Sequence, residues 1–192
     1  MKTKLVSVAE VQIGYQALKR IDPDPQGTHA IIQVKDINNK QELDTSDLYP
    51  FIPEREPERY QVDKGDVLFM SRGRNNLAYP VRWGLRNTLA ASTFFILRLR
   101  SESVLPEYLA WAINQPPMQA KLKERTHATT TVPLIPKADF EALKIDVPPL
   151  ELQRKIVALN DLLVKERELT DRLLEKRAHL IQAVSLGAVG RK

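Results

Sequence analysis

The chain has 192 residues, of which 43% are hydrophobic, and a mean hydropathy of −0.33, so we expect one domain of ordinary size with an appended element. The absence of cysteine excludes disulfides, thiolate metal sites and cysteine nucleophiles. No apolar run approaches the roughly 18 residues of a membrane span, and the N-terminus lacks the apolar segment of a signal peptide. We therefore expect a soluble cytoplasmic protein that does not enter a membrane.

Net charge gives the first indication of a partner. Lysine and arginine total 29 against 24 aspartate and glutamate residues, which gives a formal charge of +5 and a pI near 9.4. A basic excess favours a polyanionic partner, because charge attraction and counterion release both strengthen binding to phosphates. Many proteins with other functions share such a pI, so charge alone does not decide the partner.

The first region, to about residue 100, is strand-like with proline-rich connections. The β-branched run over residues 30–35 predicts a strand, since turn-forming residues bound it on both sides. The turn Lys64-Gly65-Asp66 precedes Val67–Met70, which has the pattern of a short buried strand. The apolar stretch over residues 88–100 predicts one or two further core strands.

The second region, from about Leu105 to Val147, mixes helices and loops. A helix is predicted from Pro106 to Ile113, because a proline in the first turn leaves no N–H unsatisfied. Two prolines at positions 116 and 117 end this helix, and a second helix is predicted over residues 118–125. Residues 144–147 alternate polar and apolar side chains, as a final strand does.

The third region begins at Pro148-Pro149. After these prolines the chain runs to about Leu186 without glycine or proline, which predicts a helix of about 37 residues and about 55 Å in length. Its apolar stripe is too long for one small domain to cover, so we favour a two-stranded coil with a partner helix. A single helix lying on its own domain is the alternative. Glu166 and Lys176 interrupt the stripe. The predicted partner-facing residues are Leu152, Ile156, Leu159, Leu162, Leu163, Leu169, Leu173 and Leu180.

The chain carries none of the common catalytic signatures. It has no [Asp/Glu]-x-Lys of metal-dependent nucleases, no Gly-Lys-[Ser/Thr] of a P-loop and no Gly-x-Gly of a dinucleotide site. Asn114-Gln115-Pro116-Pro117-Met118 looks like the Asn-Pro-Pro-aromatic loop of amino-methyltransferases, but it has an extra residue and ends in methionine. A helix stop is the better interpretation. The three histidines are far apart and form no zinc motif, so we expect no metal and no cofactor.

Side chains suited to nucleic acid cluster in three places. The first group follows the strand Val67–Met70 and combines arginine, which pairs with guanine, with asparagine, which pairs with adenine. A second basic group is interleaved with Tyr79 and Trp83, and a third contains lysine and threonine, which suit phosphate contacts. A solvated polar loop is the alternative interpretation of the first group. The candidate DNA-binding residues are Arg72, Arg74, Asn75, Asn76, Arg82, Arg86, Asn87, Lys121, Lys123, Thr129 and Thr130.

Three stretches resemble the specificity subunits of type I restriction-modification systems. Residues 65–73 (GDVLFMSRG) are similar to the GD(V/I)L strand and loop of that family, and residues 106–109 (PEYL) to the start of one of its helices. Residues 135–157 are the most specific, because LKIDVPPLELQRKIV matches the passage from recognition domain into helix, L-x-I-x-(V/L)-P-P-L-x-x-Q-x-x-I-V. The resemblance covers nearly the whole chain.

This resemblance implies an α+β fold with two functional parts. A mixed target recognition domain over residues 1–147 would read double-stranded DNA, a long helix over residues 148–186 would serve dimerisation, spacing and methyltransferase docking, and residues 187–192 would be a frayed tail. Such subunits have no active site. They position a DNA methyltransferase, and in some complexes a restriction motor, on the chosen sequence.

The family pattern also implies a partner for the helix. Full specificity subunits have two recognition domains and two helices packed antiparallel, whereas this sequence has one of each and resembles half a subunit. We therefore expect a homodimer through an antiparallel coiled coil, or pairing with another half-subunit, on a split target whose spacer the helix length sets. An interaction module that binds methyltransferase or another specificity subunit without useful DNA reading, and an unrecognised enzyme, are the alternatives.

Overall fold

A computed structural model of the chain describes residues 2–38, 42–73, 75–125 and 133–189. The chain divides into two compact units, Met1–Gln153 and Arg154–Lys192. The first unit therefore includes the first turn of the long helix predicted to begin after residue 147.

Nine strands, five α-helices and two short 3-10 helices, Val34–Asp36 and Glu58–Tyr60, are present in these described ranges. In chain order they are β1 (Lys2–Lys4), α1 (Leu5–Val8), β2 (Ala9–Ile13), β3 (His29–Ile32), β4 (Tyr49–Phe51), β5 (Val67–Met70), β6 (Ala78–Pro80), β7 (Thr88–Ala90), β8 (Phe94–Leu99), α2 (Pro106–Asn114), α3 (Pro116–Glu124), α4 (Lys137–Glu141), β9 (Lys144–Asp146) and α5 (Leu150–Val189). Strands and short helices mix in the first unit and one helix of 40 residues follows, so the predicted α+β class is confirmed.

A four-stranded antiparallel sheet in the order β2-β8-β5-β6 forms the centre of the first unit. All four residues of β5 are buried, as its short continuous apolar run predicts. Because successive side chains of a strand alternate between faces, Leu68 and Met70 enter one hydrophobic cluster. Phe69 points the other way and stacks on Phe140 of α4, with a ring-centroid distance of 4.1 Å. Both faces of this strand are therefore covered by apolar side chains.

A second sheet has the order β4-β3-β7, in which β3 pairs antiparallel with β4 and parallel with β7. The predicted strand over residues 30–35 is wrong at its C-terminal end. The chain leaves β3 after Ile32 and enters a short 3-10 turn, Val34–Asp36. The Asp36 carboxylate accepts a hydrogen bond from the Gln33 N at 2.7 Å, which stabilises the turn in place of a longer strand.

The remaining sequence-predicted elements of the first unit agree closely with the structure. The stretch over residues 88–100 contains two strands, β7 and β8, and α2 begins at Pro106. Helix α3 begins at Pro116, two residues earlier than predicted, because Pro116 and Pro117 occupy a first turn that needs no N–H donors. The final strand β9 pairs with β1.

Helix α5 ends at Val189, three residues beyond its predicted end, and residues 190–192 of the predicted tail lie outside the described residues. Among the helices that the structure describes, none combines the length and the apolarity needed to cross a bilayer.

Candidate nucleic-acid interface

The loop that follows β5 is held on both sides by hydrogen bonds. Ser71 is buried, and its N and Oγ both donate to the Thr93 carbonyl oxygen, at 2.9 and 3.0 Å. On its other side, the Ile135 N donates to the Ser71 carbonyl oxygen at 2.9 Å, and Arg72 forms a β-bridge with Leu134. The backbone of Arg72 is therefore fixed between two segments, while its side chain is exposed.

Gly73 sets the direction of this loop beyond the strand. Its φ of +129° lies in a region that L side chains rarely adopt, and its N donates to the Pro133 carbonyl oxygen at 3.1 Å. The backbone conformation at position 73 therefore requires a glycine next to Arg72. Arg74, the second arginine of the predicted group, lies outside the described residues.

The two asparagines of the loop differ in their surroundings. Asn75 is exposed. Asn76 is half-buried, and its Nδ2 donates to the Met70 carbonyl oxygen at 2.9 Å. Since that donor is used within the protein, Asn76 shapes the loop, and Asn75 is the asparagine whose amide faces solvent.

Helix α3 lies beside this loop. The Gln119 Nε2 donates to the Asn76 carbonyl oxygen at 3.0 Å and to the Ile113 carbonyl oxygen at 2.9 Å. Lys121 and Lys123 of α3 are exposed. The structure therefore brings Arg72, Asn75 and Asn76, and the helix that carries Lys121 and Lys123, to one end of the four-stranded sheet, which we call the Ser71 end. Thr129 and Thr130 lie outside the described residues.

The second predicted group lies on the segment between β6 and β7, and its first member, Arg82, follows the end of β6 opposite the Ser71 end. Strands β5 and β6 are antiparallel with Val67 opposite Pro80, so the chain after Pro80 leaves the sheet away from the Ser71 end. Arg82 and Arg86 are both exposed, and Arg86 stands two residues before β7 of the second sheet. Asn87 has a φ of +46°, and its carbonyl oxygen accepts from the Ala30 N at 2.8 Å, so its backbone forms a turn.

A buried acid lies at this second end. The Asp66 carboxylate accepts a hydrogen bond from the Asp63 N at 2.9 Å. Burial raises the pKa of Asp66, whereas this hydrogen bond and the positive charge of Arg98 act in the opposite direction. Arg98 also donates to the Gln61 carbonyl oxygen at 2.9 Å. These contacts hold the turn that precedes β5.

The motif that looks like an amino-methyltransferase loop is part of the sheet edge. The Asn114 Oδ1 accepts from the Ala78 N and its Nδ2 donates to the Ala78 carbonyl oxygen, both at 2.8 Å. The amide thus pairs with β6 as a strand residue would, and α2 ends at Asn114, so the helix-stop interpretation is confirmed. Within the described ranges, no three acidic or histidine side chains converge as metal ligands.

Gln153 has a role that its sequence motif does not reveal. Its side chain is completely buried. Its Oε1 accepts from the Leu105 N at 2.9 Å, and its Nε2 donates to the carbonyl oxygens of Ser103 and Pro148, at 2.8 Å each. From the sequence, a glutamine in the first turn of a helix after two prolines indicates a capping function at most. The sequence does not reveal the wider role, because two of the hydrogen-bond partners of Gln153 lie about fifty residues earlier in the chain.

The apolar stripe of α5 is exposed to solvent. Leu159, Leu162 and Leu180 are each about two-thirds exposed. The other predicted partner-facing leucines, Leu152, Leu163, Leu169 and Leu173, are also exposed, and Ile156 is half-buried. Such a row on one helix face is a surface suited to a partner.

Neither a protein-family model nor a curated protein matches the sequence. Solved structures do match it. The S subunit of a type I restriction-modification system from M. genitalium aligns with 100% of this chain at a TM-score of 0.60 and 15% identity. A chain from a structure of type I R-M complex assembly and conformational transition aligns with 95% at a TM-score of 0.69 and 20% identity, and the HsdS subunit from Thermoanaerobacter tengcongensis with 87% at 0.59 and 20%.

These matches define the fold. The chain belongs to the class of proteins in which an α+β domain is followed by a long helix. Within this class it has the fold of type I restriction-modification S subunits, as the sequence resemblance implies. The chain spans less than half of the length of these solved relatives, with shares of 46%, 43% and 37%.

Proposed function

We propose that this chain is a DNA sequence-specificity component of a type I restriction-modification system and directs a DNA methyltransferase to a target site. The observation that carries the proposal is the shared fold with S subunits along 87–100% of the chain. In this proposal the chain contributes sequence recognition, and the chemistry comes from the methyltransferase and, in some complexes, from a restriction subunit.

The Ser71 end of the sheet is the surface that we assign to DNA. Arg72 combines a backbone fixed by Ser71 and Leu134 with an exposed guanidinium, which is what a side chain that reads a guanine edge requires. Asn75 beside it is the accompanying candidate for base reading. Lys121 and Lys123 are better suited to phosphates, which fix the position of a protein on DNA without specifying sequence.

We further propose that α5 pairs with the α5 of a second copy. Its exposed leucines support a helical partner, because a long row of apolar side chains in water is unfavourable until another surface covers it. Two recognition domains joined in this way would read two half-sites.

The test of DNA reading is a map of methylated bases in cells that carry this chain and its methyltransferase. We expect Arg72→Ala to abolish the methylation pattern or relax it at one position of the motif, because one bidentate arginine–guanine contact is worth about 1–3 kcal/mol. Arg55→Ala is the matched control, because Arg55 is exposed and belongs to none of the three predicted groups, and it should leave the motif unchanged. An unchanged motif and rate in Arg72→Ala would contradict the site assignment.

A binding measurement separates DNA reading from a mere interaction module. Binding of fluorescent duplex DNA of mixed sequence is measured between about 50 and 200 mM salt, with and without methyltransferase. Contact of the chain with DNA phosphates predicts a salt-dependent affinity whose slope falls in the Lys121→Ala, Lys123→Ala double variant, whereas sequence reading itself is tested by the methylation map. A chain that binds methyltransferase but adds no DNA affinity would be the interaction module. Cleavage of that DNA by the chain with Mg²⁺ alone would contradict a non-catalytic role.

A further inference from the structure

The seam of α5 contains two charged interruptions among its leucines. Counted in sevens along the helix, one set of core positions comprises residues 159, 166, 173 and 180, and the other comprises residues 162, 169, 176 and 183. Both sets are leucine except for Glu166 in the first set, and Lys176 and an alanine in the second. Glu166 and Lys176 are exposed, as the leucines are.

The two charges are placed symmetrically about one residue. Glu166 precedes Asp171 by five residues, and Lys176 follows it by five. In an antiparallel pair of identical helices, residues equidistant from the twofold axis on opposite sides face each other. An axis level with Asp171 therefore sets Glu166 against Lys176 of the second copy, and does so twice.

The same axis also matches the apolar positions. Leu169 then faces Leu173 of the second copy, and Leu162 faces Leu180. Leu159 faces Ala183, which completes the layers between residues 159 and 183, about 36 Å of helix at 1.5 Å per residue. In every layer an apolar residue meets an apolar residue, or a carboxylate meets an ammonium group.

Other alignments lose this match. Sliding one helix by seven residues sets Glu166 against a leucine or an alanine, and Lys176 against a leucine. A parallel pair in register sets Glu166 against Glu166 and Lys176 against Lys176. Each arrangement leaves charges unpaired or opposed in the seam, which is costly. In the arrangement centred on Asp171, the two copies of Arg172 approach each other. Glu168 lies four residues before each Arg172 on the same helix, where its negative charge offsets this repulsion.

We propose that α5 forms an antiparallel homodimer whose register is fixed by reciprocal Glu166–Lys176 pairs on either side of a twofold axis at Asp171. This deepens the helix pairing proposed above and does not depend on DNA reading. Charged residues at single core positions of a coil select register at some cost in stability, which is the function that we assign to these two.

Charge reversal tests the register. The dissociation constant of the full-length dimer is measured by analytical ultracentrifugation. Glu166→Lys and Lys176→Glu should each weaken the dimer at least about tenfold, because each sets like charges against each other in two layers. The double variant should regain most of the affinity. Glu175→Lys and Arg167→Glu are matched reversals one residue outside the seam and should have little effect.

The outcomes separate failure of the register from failure of pairing. A monomeric wild-type chain would overturn self-pairing, while the methylation map would still test DNA reading. A dimer that tolerates the single reversals, or that the double variant does not restore, would overturn the register. Helix content by circular dichroism checks that each variant folds.

Distances between spin labels provide a second measurement. The chain has no cysteine, so single cysteines can be introduced and labelled without background. Asp171→Cys should place its two labels level with each other. Gln182→Cys should separate its labels by about 33 Å along the helix, since each lies eleven residues from the axis. Equal distances at both positions, with no added separation along the helix at residue 182, would indicate a parallel pair and overturn the proposal.

Discussion

Replacing Gln153 with leucine tests how much one buried amide contributes to the first unit. Leucine has a similar volume, so the change removes three hydrogen bonds without opening a large cavity. A net hydrogen bond is worth about 1 kcal/mol, and a buried group left without a partner costs about 1–3 kcal/mol. Three bonds at about 1 kcal/mol each lower the free energy of unfolding by about 3 kcal/mol or more, and about 3 kcal/mol lowers the melting temperature of a unit of this size by roughly 6–12 °C.

Both tryptophans, Trp83 and Trp111, lie in the first unit, so near-ultraviolet circular dichroism during urea unfolding reports on it. Gln182→Leu is the matched control, because it makes the same chemical change at an exposed position of α5. A loss below about 1 kcal/mol for Gln153→Leu would refute the reasoning, since three buried hydrogen bonds would then contribute almost nothing.

Two further predictions concern the core. Phe140 is fully buried and stacks on Phe69, so Phe140→Ala should lower the free energy of unfolding by about 3–5 kcal/mol in the same urea assay; a change under about 1 kcal/mol would contradict its place in the core. Burial raises the pKa of Tyr79 to about 12, above about 10 in the unfolded chain, so the folded state keeps a proton that the unfolded state loses. Stability should fall as the pH rises through this interval, and Tyr79→Phe should remove that part of the loss. An alkaline absorbance titration should show a late-ionising component that Tyr79→Phe reduces; a curve above about pH 11 that the substitution leaves unchanged would contradict the shift.

Local sequence patterns determined much of this protein. The buried run Val67–Met70, the proline-led starts of α2 and α3 and the long helix α5 follow from side-chain periodicity and from the missing N–H of proline. The exposed seam of α5 was predictable for the same reason, because the period of a helix fixes which residues share a face.

The tertiary structure decided which of these residues lie together. Arg72 and Arg82 are ten residues apart, yet they lie at opposite ends of one sheet, because β6 reverses the chain between them. Lys121 is much farther from Arg72 in sequence, yet α3 reaches the same end through the contact between Gln119 and Asn76. Gln153 finds two of its partners about fifty residues earlier. Strand order and buried polar contacts depend on pairings between distant segments, and the local patterns of a single sequence do not encode them.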